Sequence, residues 1–405
     1  MRIVPAAVLL LMPAVALAGG YQVPNTNTRD LGLADSTVSS TEGAEATYVN
    51  VATLAQHQGL LVTGAVALVQ YSVTWIDPSH VSPNVTNTRY YAPPLAGGVA
   101  WGTKLADHGF GIGLSFDNPG GGQIYWPKSW PGASEIISVD RRVYEGTLGV
   151  GFEAIRDWLM VGVSLIYDRT TEQLIQALPL GTTTGQADLG LGGGQFSFGA
   201  GLEFTIPHVP FALGVQYQQS ANQPMTGNVH FSNVPVPFQS SLIDQPVKES
   251  LTFPTRVNVG VSYNILERCR ILFAYQWTQW TLYGQDLFVG QTTGFTVTVP
   301  RGFHNENTMR LGAEIFAAKW LRFFLGGQRD LTPAPVTTLS PTLPDSSSWG
   351  GTIGVSFDVL PQLSIAGSYA YFGFDQVSAV GADAFPATYQ SHANIASVGL
   401  QFRWL

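Results

Sequence analysis

The chain has 405 residues, of which 11% are charged and 45% apolar, and its net charge is −8. A large soluble protein keeps about a quarter of its residues charged, so this composition is poorly suited to one. No Lys/Arg cluster is present, which argues against nucleic acid as a partner, and the single cysteine, Cys269, excludes an intramolecular disulfide framework. The N-terminus reads as a secretory signal. Arg2 precedes an apolar run from Ile3 to Leu17, and Ala16-Leu17-Ala18 supplies the small residues of a cleavage site. That run falls short of the ~20 residues of a spanning helix, and no later stretch offers ~18 uninterrupted apolar residues.

Residues 19–58 show no strand period. They are polar, small and turn-rich, and they hold Arg29, Asp30, Asp35, Glu42 and Glu45. From residue 59 onward the pattern is alternation. Val257, Val259, Val261 and Tyr263 interleave with Asn258, Gly260 and Ser262, and Val398, Leu400, Phe402 and Trp404 with Gly399, Gln401 and Arg403. A period of two places one set on each face of a strand. The polar face is Gly, Ser, Gln and Asn with few charges, which suits a lumen, while the aromatic and aliphatic face suits lipid. An exposed sandwich face would carry many more Lys and Glu.

The pattern predicts about fourteen strands, centred near residues 67, 98, 112, 146, 163, 199, 214, 258, 272, 312, 324, 354, 368 and 399. Short connections fall around Ala106, Ile155, Pro207, Leu266, Ala318 and Leu360. Long ones fall at 76–88, 117–138, 176–192, 220–247, 280–305, 331–348 and 375–391, and the two kinds alternate. Short periplasmic turns, long external loops and an even strand count mark an outer-membrane barrel of the Gram-negative type. The expected fold class is therefore all-β, a transmembrane antiparallel β-barrel. Its divisions are a signal at 1–18, an N-terminal plug or hatch at 19–58, and the barrel at 59–405. Residues 19–58 read either as a periplasmic tail or as a plug. A lumen wider than that of ~8 strands is too large for side chains to fill, which favours the plug.

The stretch SFDNPGGGQIYW at 115–126 interrupts this pattern. The strand Gly109–Phe116 has about eight residues, whereas a tilted membrane strand needs ~9–11. Counting back across the turn near Ala106 places Asn118 opposite Pro93 and Asp117 opposite Pro94. Backbone groups freed in lipid must turn inward to find partners. This predicts a kink and a lateral portal shaped by Asn118, Pro119, Gly120, Gly121 and Gly122 and lined by Phe116 and Ile124. The alternative is a loop that begins above the lipid.

Glu145, Asp168, Glu203, Arg256, Arg310, Glu314 and Arg403 are expected in the lumen. They either pair with one another and the plug, or Arg256, Arg310 or Arg169 offers a polar anchor to a substrate head group; Arg169, Arg256, Arg310 and Glu314 are the polar candidates of the lumen. Leu178, Leu180, Phe231, Val236 and Phe238, in two long loops, either form a capture groove or pack on one another. No G-x-S-x-G, H-E-x-x-H or Walker sequence is present, and the 7 histidines are scattered. No catalytic residue, cofactor or metal is expected.

Several short motifs resemble one family, the outer-membrane transporters of long-chain fatty acids and aromatic hydrocarbons (FadL-like). They are Gly20-Tyr21-Gln22, Leu31-Gly32-Leu33-Ala34, Asn50-Val51-Ala52, Phe253-Pro254, Trp277-Thr278-Gln279-Trp280, Met309-Arg310-Leu311-Gly312 and Pro333-Ala334-Pro335 followed by Pro344-Asp345. The resemblance implies a fourteen-stranded barrel with an N-terminal hatch, an inward kink in the third strand and external loops that capture hydrophobic substrate. Val51 departs from the family's Asn-Pro-Ala. Leu174 and Leu287 stand where fatty-acid members carry basic residues, which favours an uncharged substrate. The expected function is passive uptake of hydrophobic small molecules, by a monomer whose other partners are outer-membrane lipids. A general porin or structural barrel is the alternative, with an outer-membrane lipase behind it.

Overall fold

The computed structural model describes residues 19–88, 91–266, 268–381 and 384–404; the expected signal at 1–18 lies outside the described residues. Fourteen strands form the wall. In chain order they are Gly59–Ile76, Leu95–Leu105, His108–Asp117, Ser138–Ile155, Leu159–Leu180, Thr183–Ile206, Val209–Gln218, Arg256–Ile265, Cys269–Thr278, Glu306–Ala318, Leu321–Leu331, Ser348–Leu360, Leu363–Phe374 and Thr388–Trp404. Each pairs antiparallel with the next. The last closes on the first, from Leu60↔Trp404 to Ile76↔Thr388. All fourteen predicted centres fall inside these strands.

Alternation sorts the two faces as the sequence implies. On the first strand Val66 and Leu68 are exposed outward while Ala67 and Val69 are buried; on the last, Val398 and Leu400 are exposed and Ser397 is buried. The short turns gather at one end. The turn after the second strand has two residues, Ala106 and Asp107, both at positive φ (49° and 69°), the geometry of a tight hairpin.

The other end differs from expectation in one respect. Residues 176–192 are not a loop. The fifth and sixth strands run on to Leu180 and Thr183, giving a hairpin of 22 and 24 residues joined at 181–182. The glycine-rich stretch Gly190-Leu191-Gly192-Gly193-Gly194 weakens strand propensity, but pairing on both sides holds it in the ladder: Gly192 faces Thr171 and Thr226, and Gly193 faces Thr170 and Met225. Segments Ala221–Ser232, Gln245–Phe253, Gln285–Gly290 and Thr296–Pro300 likewise pair edge to edge and extend the wall outward.

Residues 28–56 form two short helices, Thr28–Gly32 and Ala46–Val49, and a 3₁₀ turn, Val51–Gln56. Asn27 caps the first helix and Asn50 the 3₁₀ turn. These elements bond to inward-facing groups around the barrel: Thr28 to Ser397 at 2.8 Å, the Gly32 carbonyl to Thr352 at 2.9 Å, and Asn50 to the Leu202 carbonyl at 3.1 Å. Contact is close enough that a Cβ at Gly111 would lie 2.1 Å from the Leu54 carbonyl oxygen. A charge network mounts the segment on the wall. Glu314, fully buried, accepts from Arg29 (2.8 Å), Arg270 (3.2 Å) and Arg322 (3.3 Å), and Glu42 meets the same three arginines.

Candidate functional site

The third strand breaks at Asp117 and resumes at Gly121–Tyr125, which pairs with Ser138–Arg142 of the fourth strand. Between Asp117↔Glu145 and Gly121↔Arg142, three residues face two, so Asn118-Pro119-Gly120 bulges. The break is an interruption within the wall, not the strand's end. The second strand shares its last ladder pair with the third at Gly97↔Phe116.

Asn118 therefore lies level with Leu95, not Pro93. The two-residue turn at Ala106 and Asp107 shifts the register by two from the sequence count. Its side chain bridges the opening: Oδ1 accepts the Leu95 N–H at 3.0 Å and Nδ2 donates to the Val143 carbonyl at 3.0 Å. Farther out, the Thr88 N–H donates to the Tyr125 carbonyl at 2.7 Å. The freed inner backbone is taken up by the N-terminal segment. Val23 donates to the Pro119 carbonyl at 3.0 Å, and the Gly121 N–H donates to the Tyr21 carbonyl at 2.8 Å, around a β-bridge between Gln22 and Gly120.

Two cavities lie on either side of this bridge. On the side away from the short turns, a pocket of about 60 Å³ is lined by Tyr21, Gly121, Gly122, Ile124, Val139, Leu174, Phe288, Val299 and Leu343, with Arg141, Glu172, Asp286 and Arg301. Both arginines are already neutralised. Arg141 forms a bidentate pair with Glu172 at 3.0 and 2.9 Å, and Arg301 meets Asp286 at 2.7 Å. Toward the short turns lies a cavity of about 120 Å³ lined by Asp35, Asp117, Glu145, Glu306 and Asp330 but only two cations, Arg256 and Arg310. Asp117, Glu145 and Asp168 stand side by side on adjacent strands, an unfavourable row for like charges. Arg256 bonds Gln218 and lies 3.9 Å from Glu145; Arg310 bonds Gln276 at 3.2 Å.

Tyr21 separates the two spaces. Its ring packs edge-on against Phe253, Trp280 and Tyr283, with centroids at 6.0, 5.0 and 5.9 Å, and Arg141 lies over it at 5.3 Å. Its hydroxyl donates to the Thr252 carbonyl.

The sequence-predicted residues divide accordingly. Asn118, Pro119, Gly120, Gly121, Gly122 and Ile124 gather at the break. Phe116 lies on the outward face, stacked on Tyr144 at 6.2 Å. Arg256 and Arg310 line the acidic chamber, and Glu314 belongs to the network that mounts the N-terminal segment. Arg169 is not in the lumen: Asp168 and Thr170 point inward, so the period of two turns Arg169 outward, where it is exposed. Phe231 packs on the aromatic cluster around Tyr21, whereas Val236 and Phe238 are exposed and Leu178 and Leu180 sit half-buried near a hairpin tip. Leu174 lines the upper pocket; Leu287 faces outward, between inward-facing Asp286 and Phe288. Sequence reasoning missed Arg141, Glu172, Asp286 and Arg301. Charged residues at alternate positions of otherwise lumenal strands were the available signal.

No curated protein sequence matches the chain. Among solved structures it is similar to a Pseudomonas aeruginosa FadL homologue, at 17% identity with 96% of this chain and 100% of that chain covered and a TM-score of 0.82. It is also similar to the P. putida toluene transporter TodX (16% identity, 94% and 99% covered, TM-score 0.72). A third is the Ralstonia pickettii toluene transporter TbuX (17%, 92% and 98%, 0.66). At these identities the likeness is one of fold. The sequence pattern of the outer membrane protein transport proteins (OMPP1/FadL/TodX) matches residues 9–404. With that match over nearly its whole length, the chain belongs to this family of outer-membrane β-barrel transporters for hydrophobic compounds.

Proposed function

We propose that the protein passively takes up uncharged hydrophobic small molecules and releases them sideways, through the break in the third strand, into the outer membrane of a Gram-negative cell. One observation carries this reading: the break lies between a largely apolar pocket and a chamber with five carboxylates against two guanidiniums. An apolar molecule gains nothing by descending into that chamber. Moving into lipid spares it about 0.8 kcal/mol of hydration cost per methylene. A fatty-acid carboxylate would meet arginines already paired and an excess of acids, which favours a neutral substrate. Aromatic hydrocarbons are a candidate class, since two of the similar structures are toluene transporters. The closed ring of strands needs no second copy, which supports a monomer surrounded by lipid.

The test is to delete Pro119 and replace Asn118 by Thr and Gly120 by Val, so that two residues face two and the ladder is continuous. Uptake of toluene and of a long-chain fatty acid is then measured in cells lacking the native protein. Toluene uptake is expected to fall to the background of those cells while the barrel still migrates as folded in unheated gels. Normal toluene uptake by the folded variant would refute lateral release, and preferred uptake of the fatty acid by the native protein would refute the substrate class.

A further inference from the structure

Three buried carboxylates beside the N-terminal segment form no salt bridge among the described residues. Glu306, Asp330 and Asp345 are 2%, 4% and 6% exposed. Neutral groups donate to them, Trp280 to Glu306 at 2.6 Å, Thr308 to Asp330 at 2.9 Å and Thr332 to Asp345 at 2.7 Å, and the Glu306 and Asp330 carboxyls also hydrogen-bond each other. Buried carboxylates need a counter-charge or must stay protonated, and burial pushes Asp345 up to about 7.

The backbone of Gly19 runs into this cluster. Gly19 is buried at φ +86°, and a Cβ there would lie 2.2 Å from a Glu306 carboxylate oxygen. The next N–H, that of Gly20, donates to Asp345 at 3.1 Å. Gly20 is also at positive φ (+71°), with the Trp280 ring 2.7 Å from where its Cβ would be. Only glycines fit this path. In the sequence, Ala16-Leu17-Ala18 places the signal cleavage site immediately before Gly19.

We propose that signal cleavage after Ala18 creates the missing counter-ion: the α-ammonium of Gly19, seated among Glu306, Asp330 and Asp345, pins the N-terminus inside the lumen. The peptidase adds water across the Ala18–Gly19 bond. Hydroxyl goes to the Ala18 carbonyl and hydrogen to the Gly19 nitrogen, which takes one further proton from solvent. A neutral amide with one donor becomes a cation with three. The residues that follow, Tyr21 to Val23, are those that pair with the kink, so the ion cluster anchors the strand that covers the break.

The test uses protein purified from outer membranes. Mass spectrometry should read Gly19-Gly20-Tyr21 as the N-terminus. A brief pulse of an amine-acylating reagent should then modify the Gly19 amine about tenfold more slowly in the folded than in the denatured protein, as shielding by buried partners requires. In a folded Glu306→Gln/Asp345→Asn variant the folded rate should rise several-fold, while acylation of Lys104 and Lys248 stays unchanged. Should the double variant not assemble, Glu306→Gln alone is read the same way. A different N-terminus, equal rates in folded and denatured native protein, or no rise in the folded variant would each overturn the proposal.

Discussion

Asn118 supplies with its side chain the rung that Leu95 lacks from the backbone. Oδ1 takes the Leu95 N–H at 3.0 Å, and the same amide donates across the bulge to the fourth strand. Replacing Asn118 by Ala leaves an N–H and a carbonyl unpaired in the wall, at a cost of ~1–3 kcal/mol for each. The folded barrel should unfold at lower temperature on heating in detergent, and hydrophobic uptake should quicken. An unchanged transition would mean that this amide does not hold the opening shut.

The Arg141–Glu172 pair predicts a change of selectivity. Glu249 lies in the same group with both carboxylate oxygens unpartnered, so Glu172→Gln/Glu249→Gln should leave Arg141 free to receive an anion. Breaking a buried pair costs ~3–5 kcal/mol of stability. A charge-assisted bond worth ~1.5–3 kcal/mol should tighten binding of a long-chain carboxylate roughly ten- to a hundredfold. Titration of native and variant protein with the same fatty acid decides it; equal affinities would remove Arg141 from selectivity.

Glu314 makes a third case. It accepts from Arg29, Arg270 and Arg322, and Glu314→Gln leaves that burden to Glu42. Residues 19–58 should then be held less firmly, and single-channel conductance in planar bilayers should show frequent openings absent from the native protein. A quiet trace would indicate that the hydrogen bonds to Ser397, Thr352 and Leu202 suffice.

In the external loops, Asp286 is buried beside Arg301. Burial acts to raise its carboxyl, but the attraction of Arg301 and then Arg141 outweighs this and holds it below the ordinary value. Because the folded value is the lower one, the stabilisation is present above about pH 4 and is lost as pH falls through the folded value. Proteolysis of the 280–305 loop in folded protein should rise below that point. In Asp286→Asn this acid-induced step should be absent.

Topology can be checked by tags. Ser346 is buried beneath the loops, with its hydroxyl bonded to the Asp375 carbonyl, so a tag there would disturb the fold. The exposed turn at Gly181 and Thr182 is the better external site. It should be labelled on intact cells, and a tag at Ala106 should not.

Strand number and closure were legible because lipid and lumen impose opposite demands on neighbouring residues; the alternation of short and long connections fails at 181–182, where two residues join the fifth and sixth strands. The same parity places Arg169 outside once Asp168 and Thr170 are set inside. The position of Asn118 was misjudged by two because register depends on turn geometry, and Ala106 and Asp107 at positive φ carry no strong sequence mark. The hairpin at 159–206 escaped for another reason: above the membrane both faces meet water or protein, so the contrast between them fades. Arg141 and Arg301 escaped because their partners are set by register: Glu172 faces Arg141 across two adjacent strands, and Asp286 reaches Arg301 across one local hairpin.

The fifth and sixth strands have 22 and 24 residues, and at ~3.3 Å per residue the longer one approaches ~80 Å along its axis. Tilted at ~40° through an apolar band of ~25 Å, the hairpin lifts its turn some tens of ångströms clear of the bilayer. At that height the turn, with Leu178 and Leu180 half-buried beside it, stands well beyond the lipid headgroups, so whatever approaches the membrane from that side meets the hairpin before it meets the bilayer.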